Sequence, residues 1–319
     1  MATKLEDVYV PEVFDPYFIK RTEEKSALRA AGIIGPVNGL NVPDGGATVN
    51  MPHWNDLTGD DEVMSDQREL SPGKIVAGLD AAAVLIRSKA WGTHELASAL
   101  AGDDAFGAIA ELASDFWTRA EQRTLISILT GVFASPSMTD NMLDVPDMPV
   151  SKNLLIDAIS LLGDSSEELT GMVCHSAVRA QLAKNEVLDA RVNVGDTNTA
   201  PEFPSFLGRR VIADDGCPVE GAGDAKIYTT YLFGNGAIGF AAGMGVTPSE
   251  MERKGLAHTT YLITRRHFIL HPRGVKWLGA HQNAENPTPG NADLADGRNW
   301  SRVWEPKSIR IAVLRHRLG

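Results

Sequence analysis

The strongest helical periodicity in the chain lies in residues 103–133, DDAFGAIAELASDFWTRAEQRTLISILTGVF. Its apolar residues recur at the spacing of an α-helix: Phe106, Ile109, Ala110, Ala113, Phe116, Trp117, Ala120 and Ile128. Asp103 and Asp104 suit the positive end of a helix dipole, and Pro136 predicts that the helix has ended before it. At a rise of 1.5 Å per residue the helix would be about 45 Å long, which is long for a compact domain.

Two strand-like runs precede this helix and flank a polar loop. The runs are Ala47–Trp54 and Lys74–Trp91, and the loop between them is Asn55–Gly73, so the sequence predicts a long hairpin. Six carboxylates lie near its tip against the single Arg68: Asp56, Asp60, Asp61, Glu62, Asp66 and Glu69. A loop of this length is usually functional or disordered. A solvated tip is the favoured interpretation, and an adventitious cation site is the alternative.

The first 44 residues are a poor independent fold, with four prolines and one short helical pattern from Thr22 to Gly32. Several of their side chains are too apolar for a solvated tail: Tyr9, Val13, Phe14, Tyr17 and Phe18 are the most prominent. We therefore expect an N-terminal arm that contacts a partner.

From Val150 the sequence reads as alternating helices and strands. Ser151 can cap a helix over 151–164, Leu169–Cys174 reads as a buried strand, and a second helix is predicted to begin near His175. Further strands are predicted up to Gly243, and His258–Gly279 reads as a long strand-rich segment.

The C-terminal tail consists of a polar linker, 283–299, and a strand-like segment that alternates apolar and basic residues. Its basic residues outnumber Glu305 by five: Arg298, Arg302, Lys307, Arg310, Arg315 and Arg317. A fully extended linker could reach about 60 Å. We therefore expect the tail to add a strand to a neighbouring subunit near the acidic hairpin tip, with Trp300 and Trp304 contributing more than single arginines. A solvated strand face and contact with DNA are the alternatives.

The arm, the hairpin region 45–92 and the tail 283–319 have no obvious core of their own. Ordering each residue costs about 1–2 kcal/mol of backbone entropy, so these segments need contacts elsewhere. Neighbouring subunits of a repeating assembly would supply such contacts.

Composition excludes several classes of protein. Hydrophobic residues make up 43% of the chain, and no apolar run is long enough to span a membrane. The net charge of −11 disfavours tight, sequence-independent binding of nucleic acid. Cys174 and Cys217 have no metal-ligand spacing and are expected to be reduced structural thiols. The N-terminus lacks the pattern of a secretory signal.

No catalytic motif is convincing, so no enzymatic activity, cofactor or metal is predicted. GNGAIG (Gly234–Gly239) matches the letters of a dinucleotide-binding loop, but the residues after it do not open a helix. A glycine-interrupted pair of strands is the favoured interpretation. His267 and His271 would share one face of a strand, but no third metal ligand is apparent.

Several stretches resemble the major capsid (coat) proteins of tailed bacteriophages, whose fold encapsulins share. The similar stretches are VPEVFDPYFIKRTEEKSAL, NMPHWNDLTGDDEVMSD, LSPGKI, KAWGTHELASALAGDD, YLFGNGAIGF and YLITRRHFILHPRGVKW. The resemblance covers about residues 5–280 and is most specific over 5–134. It implies an α+β capsid fold with this division: arm 1–44, long hairpin (E-loop) 45–92, spine helix and peripheral domain 93–145, axial domain 146–243, return to the peripheral domain 244–282, and C-terminal extension 283–319.

The resemblance also implies a function. The chain would self-assemble into hexamers and pentamers of an icosahedral shell around double-stranded DNA. It would assemble in the host bacterial cytoplasm and be located in the virion. A portal protein and a separate scaffolding protein would be partners, and a decoration protein is a further candidate. An encapsulin-type compartment is the alternative. The expected intersubunit contacts are Tyr9, Val13, Phe14, Tyr17, Phe18, Asp56, Asp60, Asp61, Glu62, Trp300, Trp304 and Arg310.

Overall fold

The computed structural model describes residues 32–36, 42, 46–54, 60–64, 74–75, 77–94, 105–188, 204–243, 249–279 and 288–319. These residues form two main sheets, two short two-stranded sheets and four α-helices. The N-terminal helix predicted over 22–32 lies outside them, except for Gly32.

The predicted long helix is confirmed as α1, Ala105–Ala134. Its C-terminal half buries an apolar stripe at helical spacing: Leu125, Ile128, Leu129, Val132 and Phe133. Its earlier residues lie on a ribbon of two strands, β4 (Leu85–His94) and β13 (Thr259–Pro272). There the Trp117 Nε1 donates to Thr264 Oγ1 at 2.9 Å, and Phe116 packs edge-on against Trp91. One helix therefore connects two parts of the molecule.

The first main sheet has five strands and contains that ribbon. Its remaining strands are β1 (Ile34–Pro36), β11 (Ile238–Gly243) and β12 (Ser249–Lys254). The strand order is β1-β11-β13-β12, and β4 pairs along the other edge of β13. β1 is parallel to β11, and Ile33 beside it is fully buried in the main core. The arm therefore joins the body at this point.

The second main sheet has seven strands in the order β5-β16-β10-β6-β8-β7, and β9 pairs with β10. The strands are β5 (Met142–Pro149), β6 (Leu169–Cys174), β7 (Ser205–Phe206), β8 (Arg209–Ala213), β9 (Val219–Glu220), β10 (Ile227–Gly234) and β16 (Ile311–Arg317). Helices α2 (Lys152–Ser160) and α3 (Ser176–Lys184) cover one face, and α1 packs on the other. Ser151 caps α2 as predicted, accepting from the Leu154 N–H.

Burial on both faces follows the two-residue period of the strands. One set of side chains packs with α1: Val173, Ile212, Tyr231, Phe233, Ile311 and Val313. The alternating set packs with α2 and α3: Met172, Cys174, Val211, Leu232, Ala312 and Leu314. A sheet covered on both faces needs apolar residues at nearly every position, which is why the central strands β6 and β10 contain no charged residue.

The predicted hairpin is confirmed, but its second run is two strands. β2 (Thr48–Trp54) pairs antiparallel with β3 (Ala77–Ala83), and β4 begins only after a break at Val84. β3 pairs with β2, whereas β4 pairs with β13. Because of the break, β3 belongs to the hairpin and β4 belongs to the five-stranded sheet of the body.

The prediction that the tail leaves its own subunit is wrong. β16 lies inside the seven-stranded sheet, antiparallel to β10 and parallel to β5. β15 (Trp300–Arg302) pairs with β14 (Val275–Trp277), and the short helix α4 (Asn291–Leu294) packs on α1. The apolar alternation correctly indicated a strand. Its partner strands are in the same chain because both faces of β16 are apolar and the sheet offers a position covered on both sides.

The residues predicted as one axial domain, 146–243, also divide between the two sheets. The chain leaves the seven-stranded sheet at the end of β10. After the turn at Gly236, whose φ is +62°, β11 pairs in the five-stranded sheet. The sheet that most of 146–243 forms is completed by β16, which lies outside that range, and by β5, which begins before it.

A close contact between α1 and the tail generates a stability prediction. A Cβ on Gly131 would lie 2.1 Å from the Leu294 carbonyl oxygen and 2.8 Å from Trp300 Nε1. Gly→Ala inside a helix normally stabilises by about 1 kcal/mol. Here overpacking against backbone should reverse the sign, so Gly131→Ala should destabilise the subunit by about 1–3 kcal/mol. Urea unfolding of the dissociated subunit measures this, and a stabilised variant would contradict the packing.

Candidate intersubunit surfaces

The β2–β3 hairpin carries large apolar side chains that the described residues of its own chain do not bury. They are Trp54, Val63, Met64, Ile75 and Leu79, with exposed fractions between 51% and 89%. Monomeric proteins seldom expose several such residues on one element unless it contacts a partner. The hairpin is therefore the strongest candidate surface among the described residues.

The described part of the hairpin tip combines these apolar groups with carboxylates. Asp60, Asp61 and Glu62 are all exposed and come directly before Val63 and Met64. We call residues 60–64, DDEVM, the tip segment. The other predicted contact residues of the arm and hairpin lie outside the described residues: Tyr9, Val13, Phe14, Tyr17, Phe18 and Asp56.

A buried polar pair attaches the base of the hairpin to the body. Asp80 on β3 and His271 on β13 are almost completely buried, and Asp80 Oδ1 lies 2.9 Å from His271 Nε2. His53 on β2 also packs edge-on against the Trp304 indole, with ring centroids 5.9 Å apart. Sequence reasoning missed the pair. The available signal was a single polar residue in each of two apolar runs, GLDAAAV and FILHP, because a buried polar group needs a partner.

Trp300 is not an intersubunit contact, contrary to the prediction. It is 3% exposed and belongs to the main core, and its Nε1 donates to the Leu294 carbonyl oxygen at 2.8 Å. Its ring packs edge-on against Trp277 at 5.0 Å between centroids. The Trp300 indole is too apolar to remain in water, as the sequence indicated, but it is buried in the core of its own chain.

The tail charges also find partners within the subunit, so the proposed complementarity between the whole tail and the hairpin tip is wrong. Each of the six basic residues pairs with a carboxylate of the same chain: Arg298 with Asp296, Arg302 with Asp140, Lys307 with Asp164, Arg310 with Glu168, Arg315 with Asp144 and Glu220, and Arg317 with Asp147. The hydrogen bond from Lys307 lowers the pKa of Asp164. Most of these pairs are solvent-exposed and contribute about 0–1 kcal/mol each.

Trp304 and Arg310, two of the predicted contact residues, line one cleft on the surface. The cleft has a volume of about 240 Å³, and we call it the tail cleft. Lys307 and Ser308 of the same segment also line it, together with residues from three further parts of the chain: Ser165, Glu168, Gly236, Ala237 and Arg273. The Arg273 guanidinium lies 5.4 Å from the centre of the Trp304 ring.

The residues that resemble catalytic or metal-binding motifs lie in strands, in a turn or in the core. Gly234–Gly239 spans the end of β10, a turn and the start of β11, so the predicted glycine-interrupted pair of strands is confirmed. His267 and His271 are buried in β13, and the described residues contain no group of three or more potential metal ligands. Cys174 and Cys217 are buried free thiols, and burial raises the pKa of Cys174 to about 12. None of the described helices has the length and hydropathy needed to cross a membrane.

Comparison with solved structures defines the class of protein. The capsid of Ralstonia phage GP4 aligns over 79% of this chain and 87% of its own at a TM-score of 0.56 and 11% identity. A chain of Microbacterium phage Oxtober96 aligns over 92% and 91% at a TM-score of 0.54 and 10% identity. An encapsulin complex from Synechococcus elongatus aligns over 88% and 83% at 0.53 and 11%. The fold is that of tailed-phage capsid proteins and encapsulins.

Sequence similarity then shows the family, although no protein-family profile matches the chain. The chain is 42% identical to the major capsid protein of Bacillus phage SPP1 over an alignment of 325 positions, covering 99% of this chain and 98% of the relative. The chain belongs to the family of tailed-phage major capsid proteins. It is a structural, non-catalytic subunit of the virion capsid and self-assembles into the shell, and the encapsulin alternative has less support.

The burial of the two tail tryptophans generates a prediction that separates folding from assembly. Trp300→Ala should destabilise the dissociated subunit by about 3–5 kcal/mol, because it leaves a large cavity in the core. Trp304→Ala should cost clearly less, since that indole is only partly buried. Urea unfolding measures both, with Trp54→Ala as the exposed control. A Trp300→Ala subunit of normal stability that fails only in assembly would restore the intersubunit interpretation.

The Asp80–His271 pair should contribute more than any surface ion pair. Asp80→Ala leaves His271 buried without its partner, and breaking a buried pair costs about 3–5 kcal/mol. Asp147→Ala, which removes the exposed partner of Arg317, should cost less than about 1 kcal/mol. Urea unfolding of both variants makes the comparison. Equal effects would show that the hairpin base is not held by this pair.

Proposed function

We propose that copies of this chain form hexamers and pentamers that close into an icosahedral shell around double-stranded DNA. Assembly would take place in the host cytoplasm, with a portal protein and a separate scaffolding protein as partners and a decoration protein as a further candidate. The resemblance over residues 5–280 and the relationship to the SPP1 protein support this proposal. The net charge of −11 is consistent with a wall that does not adhere to its contents.

Within that shell, the β2–β3 hairpin is the E-loop and docks on an adjacent subunit. The observation that carries this is the tip segment, where Val63 is 83% and Met64 is 89% exposed. Burying such side chains yields about 25 cal/mol for each Å² of apolar area removed from water, and the described residues of the same chain do not bury them. The arm residues Tyr9, Val13, Phe14, Tyr17 and Phe18 are proposed as further contacts on the same compositional argument.

The two main sheets correspond to the two domains of the capsid fold. The seven-stranded sheet with α2 and α3 is the axial domain, which would meet its copies around the axis of each capsomer. The five-stranded sheet and α1 form the peripheral domain. On this assignment, residues 311–317 belong to the axial domain, because β16 pairs with β10 and β5.

Replacing the hairpin loop tests the proposed docking. A short turn in place of Asn55–Gly73 should leave each subunit folded, because the described residues of this loop lie outside the cores, and should prevent shell closure. Circular dichroism and thermal melting report folding, and electron microscopy reports shells. Val63→Ser with Met64→Ser is the finer variant, and Met251→Ser, at a residue 63% exposed outside the hairpin, is its matched control. Normal shells from the loop replacement would show that the hairpin is a solvated excursion.

A further inference from the structure

The tail cleft contains donors for which the described residues of the same chain provide no acceptor. Trp304 Nε1 is buried and has no hydrogen-bond partner among the described residues. Arg273 forms no ion pair with a carboxylate in the part of the chain that the structure describes; its guanidinium lies over the Trp304 ring. A guanidinium that lies on an aromatic face, with no carboxylate partner among the described residues, suits an incoming carboxylate. The cleft therefore fits an acidic occupant.

The charge around the cleft supports the same conclusion. Three cations line it, Arg273, Lys307 and Arg310, against the single carboxylate of Glu168. Asp164, which bonds to Lys307, leaves a net charge of +1. The two ion pairs at the rim are exposed, and pairs of this kind are weak enough to exchange partners. An added carboxylate would therefore meet a surface of net positive charge. Exchanging the exposed ion pairs to admit it would cost little free energy.

The tip segment of the hairpin has the matching chemistry. It presents three exposed carboxylates followed by two exposed apolar side chains, which can meet the cations and the Trp304 ring respectively. A volume of about 240 Å³ accommodates a few side chains of an extended segment. No residue of the tip segment lines the cleft of its own chain. The occupant would accordingly come from a second copy.

The arrangement of the two surfaces suits a closed ring. The tip segment and the tail cleft are different patches of the same chain, so their contact is head-to-tail, and such a contact repeats around a rotation axis until it closes. His53, at the end of the hairpin strand β2, packs on Trp304 beside the cleft. Occupation of a cleft by one neighbour would therefore affect the loop-proximal end of β2, in the hairpin that reaches the next neighbour.

We propose that the tail cleft of each subunit, built around Arg273 and Trp304, receives the tip segment Asp60–Met64 of an adjacent copy. The proposal rests on the docking of the hairpin proposed above and names its receptor. It assigns Trp304 and Arg310 an intersubunit role as parts of a receiving surface on the folded body, rather than as parts of a tail that reaches outward.

Charge reversal with rescue tests the pairing. Arg273→Glu should raise the concentration needed for shell assembly at least about tenfold, because it sets a carboxylate against those of the tip. The triple variant Asp60→Lys, Asp61→Lys, Glu62→Lys should have a similar defect, and combining it with Arg273→Glu should restore assembly. Arg266→Glu, at an exposed arginine on β13, the strand that leads into the turn of Arg273, is the control and should not be rescued by the reversed tip. Thermal melting of each dissociated subunit checks folding.

Disulfide trapping provides a second measurement. Subunits carrying Asp61→Cys and subunits carrying Ser308→Cys should form a crosslinked dimer when co-assembled and oxidised, since a disulfide requires Cβ atoms about 4 Å apart. Asp61→Cys with Ser160→Cys, which lies on the exposed side of α2, is the control and should not crosslink. The native Cys174 and Cys217 are buried and should not compete.

The outcomes separate this inference from the proposal on which it rests. Normal shells after loop replacement would show that the hairpin does not dock on an adjacent subunit. If loop replacement abolishes shells while Arg273→Glu assembles normally and the Asp61–Ser308 crosslink does not form, docking stands and the tail cleft is not its receptor. If Arg273→Glu shells form normally but retain less DNA, the cleft binds phosphate instead of the tip segment. Rescue together with the specific crosslink supports the assignment.

Discussion

The pairing of the last strand, β16, between β5 and β10 is the constraint on which the rest of the subunit depends. β16 supplies alternating apolar side chains to the cores on both faces of the seven-stranded sheet. Without it, β5 would have no neighbour and β10 would lose one edge. Thr230 Oγ1 and His316 Nε2, 3.0 Å apart, also join these strands by a buried hydrogen bond. The subunit core is therefore completed only by the C-terminal residues, so loss of the tail would affect folding before it affected assembly.

The long helix α1 is stable because its two halves are covered by different partners. A helix of 30 residues exceeds what either sheet could cover alone. The seven-stranded sheet and the tail cover its C-terminal half, while the β4–β13 ribbon packs on earlier residues through Trp117 and Phe116. Gly131 allows the tail backbone to approach closely. The two sheets are consequently fixed to one rod, as a subunit that must keep its shape within a lattice requires.

Stability and assembly are separated between the body and the hairpin. The large apolar side chains of the body are mostly buried, and the tail arginines are paired within the subunit. The hairpin exposes its apolar groups, and its base is attached through Asp80 and His271. Because exposed ion pairs contribute little, the docking proposed for the hairpin would draw its free energy mainly from burying apolar groups such as Val63 and Met64. That division accounts for a capsid protein that folds first and then assembles.

The sequence by itself determined the local elements. The stripe in 103–133 predicted α1, the runs around Asn55–Gly73 predicted the hairpin, and the alternation after Trp300 predicted β16, because helix and strand periods are local properties of the chain. Only the tertiary structure decided which elements meet. The same alternation in β16 suits a strand in its own sheet or in a neighbour's, and the charge of the tail suits either Asp144 and Asp147 or a distant acidic tip. Long-range pairing decided both in favour of the same chain, since a position covered on two faces buries more apolar surface than an exposed sheet edge.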